Sequence, residues 1–334
     1  GVKVLAFAVG YPPRLWGKKV GDTEYTVNVL PLGGFVRLLG EEDPSDPRSL
    51  AAQRWWKRII IMAAGSVMNV LLPVLLFAIS YMIPQEVPAG LAQISYVAPD
   101  SPAQHAGVKP ADIILAVNGR EVRNVNDAAY YIRLNQGTTM TWTVRKQLEA
   151  GSATLAGGGA IVDVQVRGRW APPEGQGPTG IQLGQRGTLT ETQQYPVWEA
   201  IPRGLRTTLE SLVLARNQVI SWIAARSAPE GVAGPVGIAQ VTGDVVDQAG
   251  WVKLFELAAL LSINLAVLNI LPLPMLDGGR IFFVIIEVLR GGRRIAPEKE
   301  ALVHFIGFVV LIGFVIVISV FDVMRIFRGE GLIR

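Results

Sequence analysis

Cysteine is absent from the 334 residues, which excludes disulfides and thiolate metal sites but says little about compartment. Histidine is almost absent: only His105 and His304 occur, and neither has another histidine four residues away. A metal site built on paired histidines of one helix turn therefore cannot be assembled from this sequence alone. Charge is also scarce, at 17% of residues, with a net charge of +4. No block of Lys and Arg of the kind that tracks a nucleic-acid backbone is present, so nucleic acid is not an expected partner. The first residue is Gly1, with no signal-peptide pattern, and the expectation is a chain whose N-terminal part lies upstream.

What the sequence does have is apolar residues, 50% of the total, gathered into runs. Residues 59–83, 257–276 and 301–321 carry no Asp, Glu, Lys or Arg. Each run is long enough to cross a hydrocarbon core of about 30 Å as a helix, which takes about 20 residues. Basic residues flank them: Arg54, Lys57 and Arg58 before the first, and Arg290, Arg293, Arg294 and Lys299 between the second and third. Short loops rich in Lys and Arg stay cytoplasmic, so both clusters are placed inside and residues 84–256 outside. Arg325, Arg328 and Arg334, which would then be external, run against that assignment.

Residues 1–50 are polar and rich in Gly and Pro. Glu24 to Leu30 reads as a strand, Pro31 to Gly34 as a turn, and Phe35 to Leu39 as the returning strand. Such a hairpin either rests against the membrane or is an ordinary cytoplasmic one. Within the first run, Gly65 and Asn69 share a helix face. A polar amide in lipid faces other helices, as a packing contact or as part of a site.

Residues 87–186 read as a soluble domain. Ile94 to Val97 predicts a strand, Ser101 caps a short helix, Ile113 to Val117 predicts another strand, and Asn118-Gly119 a tight turn. Asp127 to Leu134 follows as a helix and Thr139 to Arg145 as a strand. This text resembles a bacterial PDZ domain. The resemblance implies an extended peptide end added at a sheet edge, expected near Leu91 to Val97. Residues 150–180 read as a loop-rich end of that domain. Residues 194–250 form an amphipathic linker region. Its first part, 194–225, is too charged for a span and fits either a helix on the membrane surface or one packed on the soluble domain.

The segment Asn269-Ile270-Leu271-Pro272-Leu273-Pro274-Met275-Leu276-Asp277-Gly278-Gly279-Arg280 is the most informative. Pro272 and Pro274 cannot continue a regular helix, and two glycines follow. Broken backbone at membrane depth needs protein or a polar cavity around it. Asp277 sits at the break, and an intramembrane carboxylate marks a functional site by default, unless it only marks the end of the span.

The pattern Asn-x-x-Pro-x-Pro-x-x-Asp-Gly resembles the third-helix signature of the site-2 protease family of intramembrane zinc metalloproteases, in its PDZ-containing regulator-of-sigma-E protease branch. Gly65 and Asn69, the hairpin at Pro31 to Phe35, the inserted PDZ-like text and Gly234-Pro235-Val236-Gly237-Ile238 resemble that family in the same order. The resemblance implies Asp277 as the third ligand of a Zn2+ ion. It implies substrate contacts at Gly33, Gly34, Phe35, Asn69, Asn269, Pro272 and Pro274. It also implies a transmembrane protein substrate, such as an anti-sigma factor, and a multi-pass location in the bacterial inner membrane.

The family's His-Glu-x-x-His, carrying two ligands and the general base, is missing, and its helix is expected upstream of Gly1. His105 is expected at a protein surface and His304 as an interfacial or helix-contact residue. The fold expected is an α-helical multi-pass membrane protein with an inserted mixed α/β PDZ-like domain and a membrane-associated β-hairpin. Its segments are 1–50 for the hairpin region, 57–84 for a span, 87–186 for the PDZ-like domain and 194–250 for the linker. A broken span at 252–289 and a last span at 301–322 complete it. The competing reading is a non-catalytic adaptor or pseudoprotease that binds partners through the PDZ-like domain.

Overall fold

A computed structural model of the chain describes residues 1–41, 43–147, 159–225 and 233–328. Most of the first half of the stretch read as a loop at 150–180 lies outside the described residues. By the pattern of contacts the chain divides into two units. One comprises Gly1–Met68 with Leu268–Ile316, and the other Asn69–Val267 with Val317–Arg334.

In the first unit, β1 (Val4–Val20) and β2 (Thr23–Leu38) form a two-stranded sheet. A tight turn lies at Gly21-Asp22, where Gly21 has a φ of +59°. Gly21 takes the left-handed conformation that a tight turn needs, and glycine does so without steric cost. The chain reverses again between Val27 and Gly34, where the sequence predicts a turn, but within the continuous strand β2 and without pairing its two arms directly. That strand folds back on β1: Phe7 pairs with both Tyr25 and Val36, and Ala8 with both Thr26 and Phe35. Residues 6–9 are thus flanked on both sides. The sheet leaves Leu15, Trp16, Val27, Val29 and Val36 exposed.

Three described helices are long and apolar enough to cross a membrane: α1 (Trp55–Met82), α6 (Lys253–Ile270) and most of α8 (Pro297–Phe327). At 1.5 Å per residue, the 28 residues of α1 span about 42 Å. Trp55 and Trp56 stand exposed at its start, where amphipathic rings anchor helices at a bilayer surface.

The second unit contains an antiparallel sheet of β3 (Gln85–Val97), β4 (Ile113–Val117), β5 (Arg120–Glu121), β6 (Thr139–Arg145), β7 (Ile161–Arg167) and β8 (Ile181–Gln193). Their order is β7-β6-β4-β3-β8, with β5 on β4. Strict alternation drives β6 into place: Met140, Trp142 and Val144 are buried while Thr139, Thr141 and Thr143 are not. Those three side chains meet Ile94, Ile114, Val117 and Val166 in one apolar core. Two helices cover the sheet. Ser101 caps α2 (Pro102–His105) by accepting from the Gln104 N–H at 3.2 Å, and Asn124 caps α3 (Val125–Leu134) by accepting from the Asp127 N–H at 2.8 Å. The expected peptide-accepting edge at Leu91 to Val97 is corrected here. That stretch of β3 is already paired with β8, from Leu91 opposite Arg186 to Val97 opposite Ile181. Its backbone donors and acceptors are spent, and β8 is the edge strand instead.

Helix α4 (Val197–Ala225) packs on the soluble domain along one face. Glu210 accepts hydrogen bonds from Arg120 at 2.6 Å and Tyr130 at 2.9 Å. Asn217 donates to the carbonyls of Arg133 and Leu134, at 3.0 and 3.1 Å, in the last turn of α3. A second face packs on α1, since a side chain at Gly204 would lie 2.5 Å from the Val74 carbonyl. A third face, Trp198, Ile201, Leu205 and Leu209, is apolar and exposed.

Candidate active site

The site is built around a broken helix. α6 ends at Ile270 and α7 (Asp277–Leu289) begins after six residues that include Pro272 and Pro274. Neither proline has an N–H to offer a helix ladder, which explains the stop. The break is held in several ways. Met275 adopts a φ of +78°, rare for a side chain with a Cβ, and its N–H donates to Nδ1 of His304 at 2.8 Å. Side chains at Gly278 or Gly279 would collide with the carbonyls of Leu271 and Leu273. A side chain at Gly307 of α8 would collide with Pro274. The two glycines after Asp277 therefore exist so that α7 can start tight against its own break.

Asp277 is the first residue of α7, half-buried, with its Oδ2 3.4 Å from where a side chain at Gly65 would begin. The carboxylate therefore stands directly beside Gly65 of α1. Asn269 lies one residue before the end of α6 and is half-buried, Pro272 is exposed and Pro274 half-buried. In the other unit, the Asn69 carbonyl accepts from Ser262 at 2.9 Å, so the backbone of that residue joins α1 to α6. Gly34 and Phe35 lie in β2 opposite Val9 and Ala8, and Gly33 lies in the same strand. A side chain at Gly34 would sit 2.5 Å from the Ala8 carbonyl, so this glycine serves the packing of the sheet.

Whether these residues can hold a metal is answered by the donor set. Among the described residues no group of three His, Cys, Asp or Glu side chains converges. His105 is exposed and lies 3.0 Å from Asp100. His304 spends Nδ1 on the Met275 N–H and stacks near Phe283, with ring centroids 5.5 Å apart. The described residues thus supply one carboxylate at the break and do not complete a three-ligand centre.

Comparison with protein families matches Peptidase family M50 over residues 1–314. The chain belongs to that family. It is similar to a provisionally named zinc metalloprotease of Clostridium acetobutylicum, 30% identical over 326 residues, covering 97% of this chain and 89% of the relative. It is 31% identical to zinc metalloprotease RasP of Oceanobacillus iheyensis, covering 98% and 93% of the two chains. It is 26% identical to the regulator of sigma-W protease RasP of Bacillus subtilis, covering 98% and 92%. The family and its apolar helices make this a membrane-associated member.

Sequence reasoning missed Asp322. This carboxylate on α8 is buried and accepts from the N–H groups of Gly234 and Gly237, both at 2.8 Å. It thereby caps α5 (Pro235–Ala249), whose first residue is a proline and whose N-cap glycine has no side chain to do so. The Gly-Pro-x-Gly text is explained by this contact, because a side chain at Gly234 would sit 2.7 Å from Ile318 and 2.9 Å from the carboxylate. The signal was available: a lone acid directly after an uncharged run of 21 residues, 301–321.

Proposed function

We propose that the chain forms the body of an intramembrane zinc endopeptidase and that Asp277 is one of the protein ligands of its Zn2+. The observation that carries this reading is a half-buried carboxylate at the first position of a helix that restarts after a proline-broken span, facing a glycine on α1. Among the described residues α7 has no side-chain N-cap, and Asp277 lies beside Ser66 of α1 and Arg280 of its own helix. When bound, zinc would polarise a scissile carbonyl and lower the pKa of a water. The remaining ligands and the general base, expected in a His-Glu-x-x-His helix, would have to come from outside residues 1–334.

The residues present would bind and orient. The exposed apolar face of the β1–β2 sheet fits a surface that rests on lipid or receives an unfolding apolar segment. Phe35 and the edge beside Gly33 and Gly34 are the proposed place for an added substrate strand. Asn269, Pro272 and Pro274 would line the path to Asp277, and Asn69 is proposed as a separate substrate contact. The antiparallel-sheet module would act as a PDZ-like filter outside the membrane, taking a peptide end at the free edge of β8. The exposed stripe of α4 fits the outer face of the lipid bilayer. The substrate class is a transmembrane protein, with an anti-sigma factor suggested by the name of the Bacillus relative, and the location is the bacterial inner membrane.

The test is Asp277→Asn in the full protein in membranes, read by zinc content and by cleavage of a membrane-embedded substrate. Loss of both supports the reading, and zinc content with turnover at the parental level refutes it. The missing ligand cluster favours one second reading, a non-catalytic PDZ-bearing adaptor. That reading expects no zinc in either protein and unchanged partner binding after the substitution.

A further inference from the structure

Asp277 does its proposed work only if α7 stands at the right height against α1. Two contacts fix that height. At one end, Asp277 faces Gly65. At the other, Glu287 accepts from Nη1 of Arg58 at 2.7 Å and from Nε of Arg294 at 3.1 Å. Arg294 also donates to the Ala51 carbonyl. On α7, Asp277, Arg280, Val284 and Glu287 follow at i, i+3, i+7 and i+10, which is one helix face. On α1, Arg58, Met62 and Gly65 do the same. The contacts run in opposite order along the two helices, so the faces meet antiparallel.

The rest of this interface is weakly specific. Val284 is buried, and an apolar contact of that kind re-forms nearly as well after a slip of one turn, about 5.4 Å. A charged pair does not. The side chains of Arg58 and Glu287 are only 9% and 14% exposed. A slip would leave both buried without partners, which is far costlier than losing an apolar contact. A buried pair adds little net stability, but it can select one register over others. Arg280, which pairs with Glu41 at 2.9 Å, ties the first turn of α7 to the segment after the sheet in the same sense.

We propose that Arg58 and Glu287 are positioning residues that lock the register of α7 against α1 and so place Asp277. This rests on the reading of Asp277 as a metal ligand. The test uses the full protein in membranes and the double substitution Arg58→Met, Glu287→Met, which replaces the pair by apolar side chains of similar length. Register is read by disulfide cross-linking of Val284→Cys on α7 to single cysteines scanned along residues 58–66 of α1, a clean experiment because these residues include no native cysteine.

The expected result is unchanged thermal stability, cross-links spread to positions one turn away, and zinc retention and cleavage reduced by about tenfold or more, the range typical of groups that orient a ligand. An unshifted cross-link pattern with parental zinc retention overturns the proposal. If the double variant does not fold, Glu287→Gln removes the charge at constant volume and its cross-links are read in the same way. Failure of the ligand reading is separable: zinc retained by Asp277→Asn refutes that reading, while the cross-link pattern still decides the register lock.

Discussion

The antiparallel sheet of β3 to β8 and the α7 region are stabilised by opposite means. The sheet module buries large apolar side chains, Trp142, Ile94, Ile114 and Met140 among them, and draws on the hydrophobic effect. Around α7 the large apolar side chains, such as Phe282, Ile285 and Leu289, point outward. What is buried there is Gly278, Gly279 and Val284, with the Arg58–Glu287 pair. In lipid an outward Phe costs nothing, so helices associate through close backbone approach and polar contacts. The lesson is that a glycine in the helical region carries the weight that a tryptophan carries in the sheet.

That contrast can be broken at specific residues. The largest effect is expected at Asp277. Asp277→Asn should lower peptide cleavage by several kcal/mol of transition-state stabilisation, on the order of 10³-fold, with little change in melting, as measured by turnover and thermal denaturation side by side. Next come the two packing modes. Trp142→Ala should cost about 3–5 kcal/mol and unfold the sheet module alone, seen as new proteolytic cuts within residues 85–193. Gly278→Val should instead leave that module intact and disrupt the α6–α7 break, seen as altered cysteine accessibility at residues 271–276. If Gly278→Val were silent, the claim that glycine carries the membrane packing would fail.

Smaller effects test the polar contacts. Asp322→Ala leaves two N–H groups of α5 without their acceptor and should cost about 2–3 kcal/mol, measured as faster hydrogen exchange at Gly234 and Gly237. The smallest effect concerns Glu210. Burial alone would raise its carboxyl, but hydrogen bonds from Arg206, Tyr130 and Arg120 outweigh it and hold the group below its ordinary value of 4.5. A lowered folded value means that its stabilisation is present above about pH 4.5 and is lost as pH falls through the folded value. Docking of α3 on α4, followed by limited proteolysis, should therefore be flat from pH 5 to 8 and loosen only in stronger acid. Glu210→Gln should flatten that acid response.

The apolar runs, the prolines at 272 and 274 and the alternation of Thr139 to Arg145 are local signals, so they were legible in the sequence. The reversal near Pro31 to Gly34 was legible in its turn composition, and the tight turn at Gly21-Asp22 was not read. What no local pattern announces is that the two arms of β2 flank residues 6–9 of β1 rather than pair with each other, a long-range pairing. The peptide edge was misplaced for the same kind of reason. β8 closes β3 from a distance of about ninety residues in the chain, and no local pattern announces it.

The sequence by itself determined where the chain can cross a membrane, where a span must break, and that one carboxylate stands at the break. Those follow from hydropathy and from the geometry of proline, which act within a few residues. Only the tertiary structure decided the long-range contacts: Asp277 beside Gly65, His304 holding the Met275 N–H, Arg58 and Glu287 meeting across two helices and, in the other unit, Asp322 capping α5. Each of these joins residues far apart in the chain, and each depends on close approach, which packing sets and composition does not record.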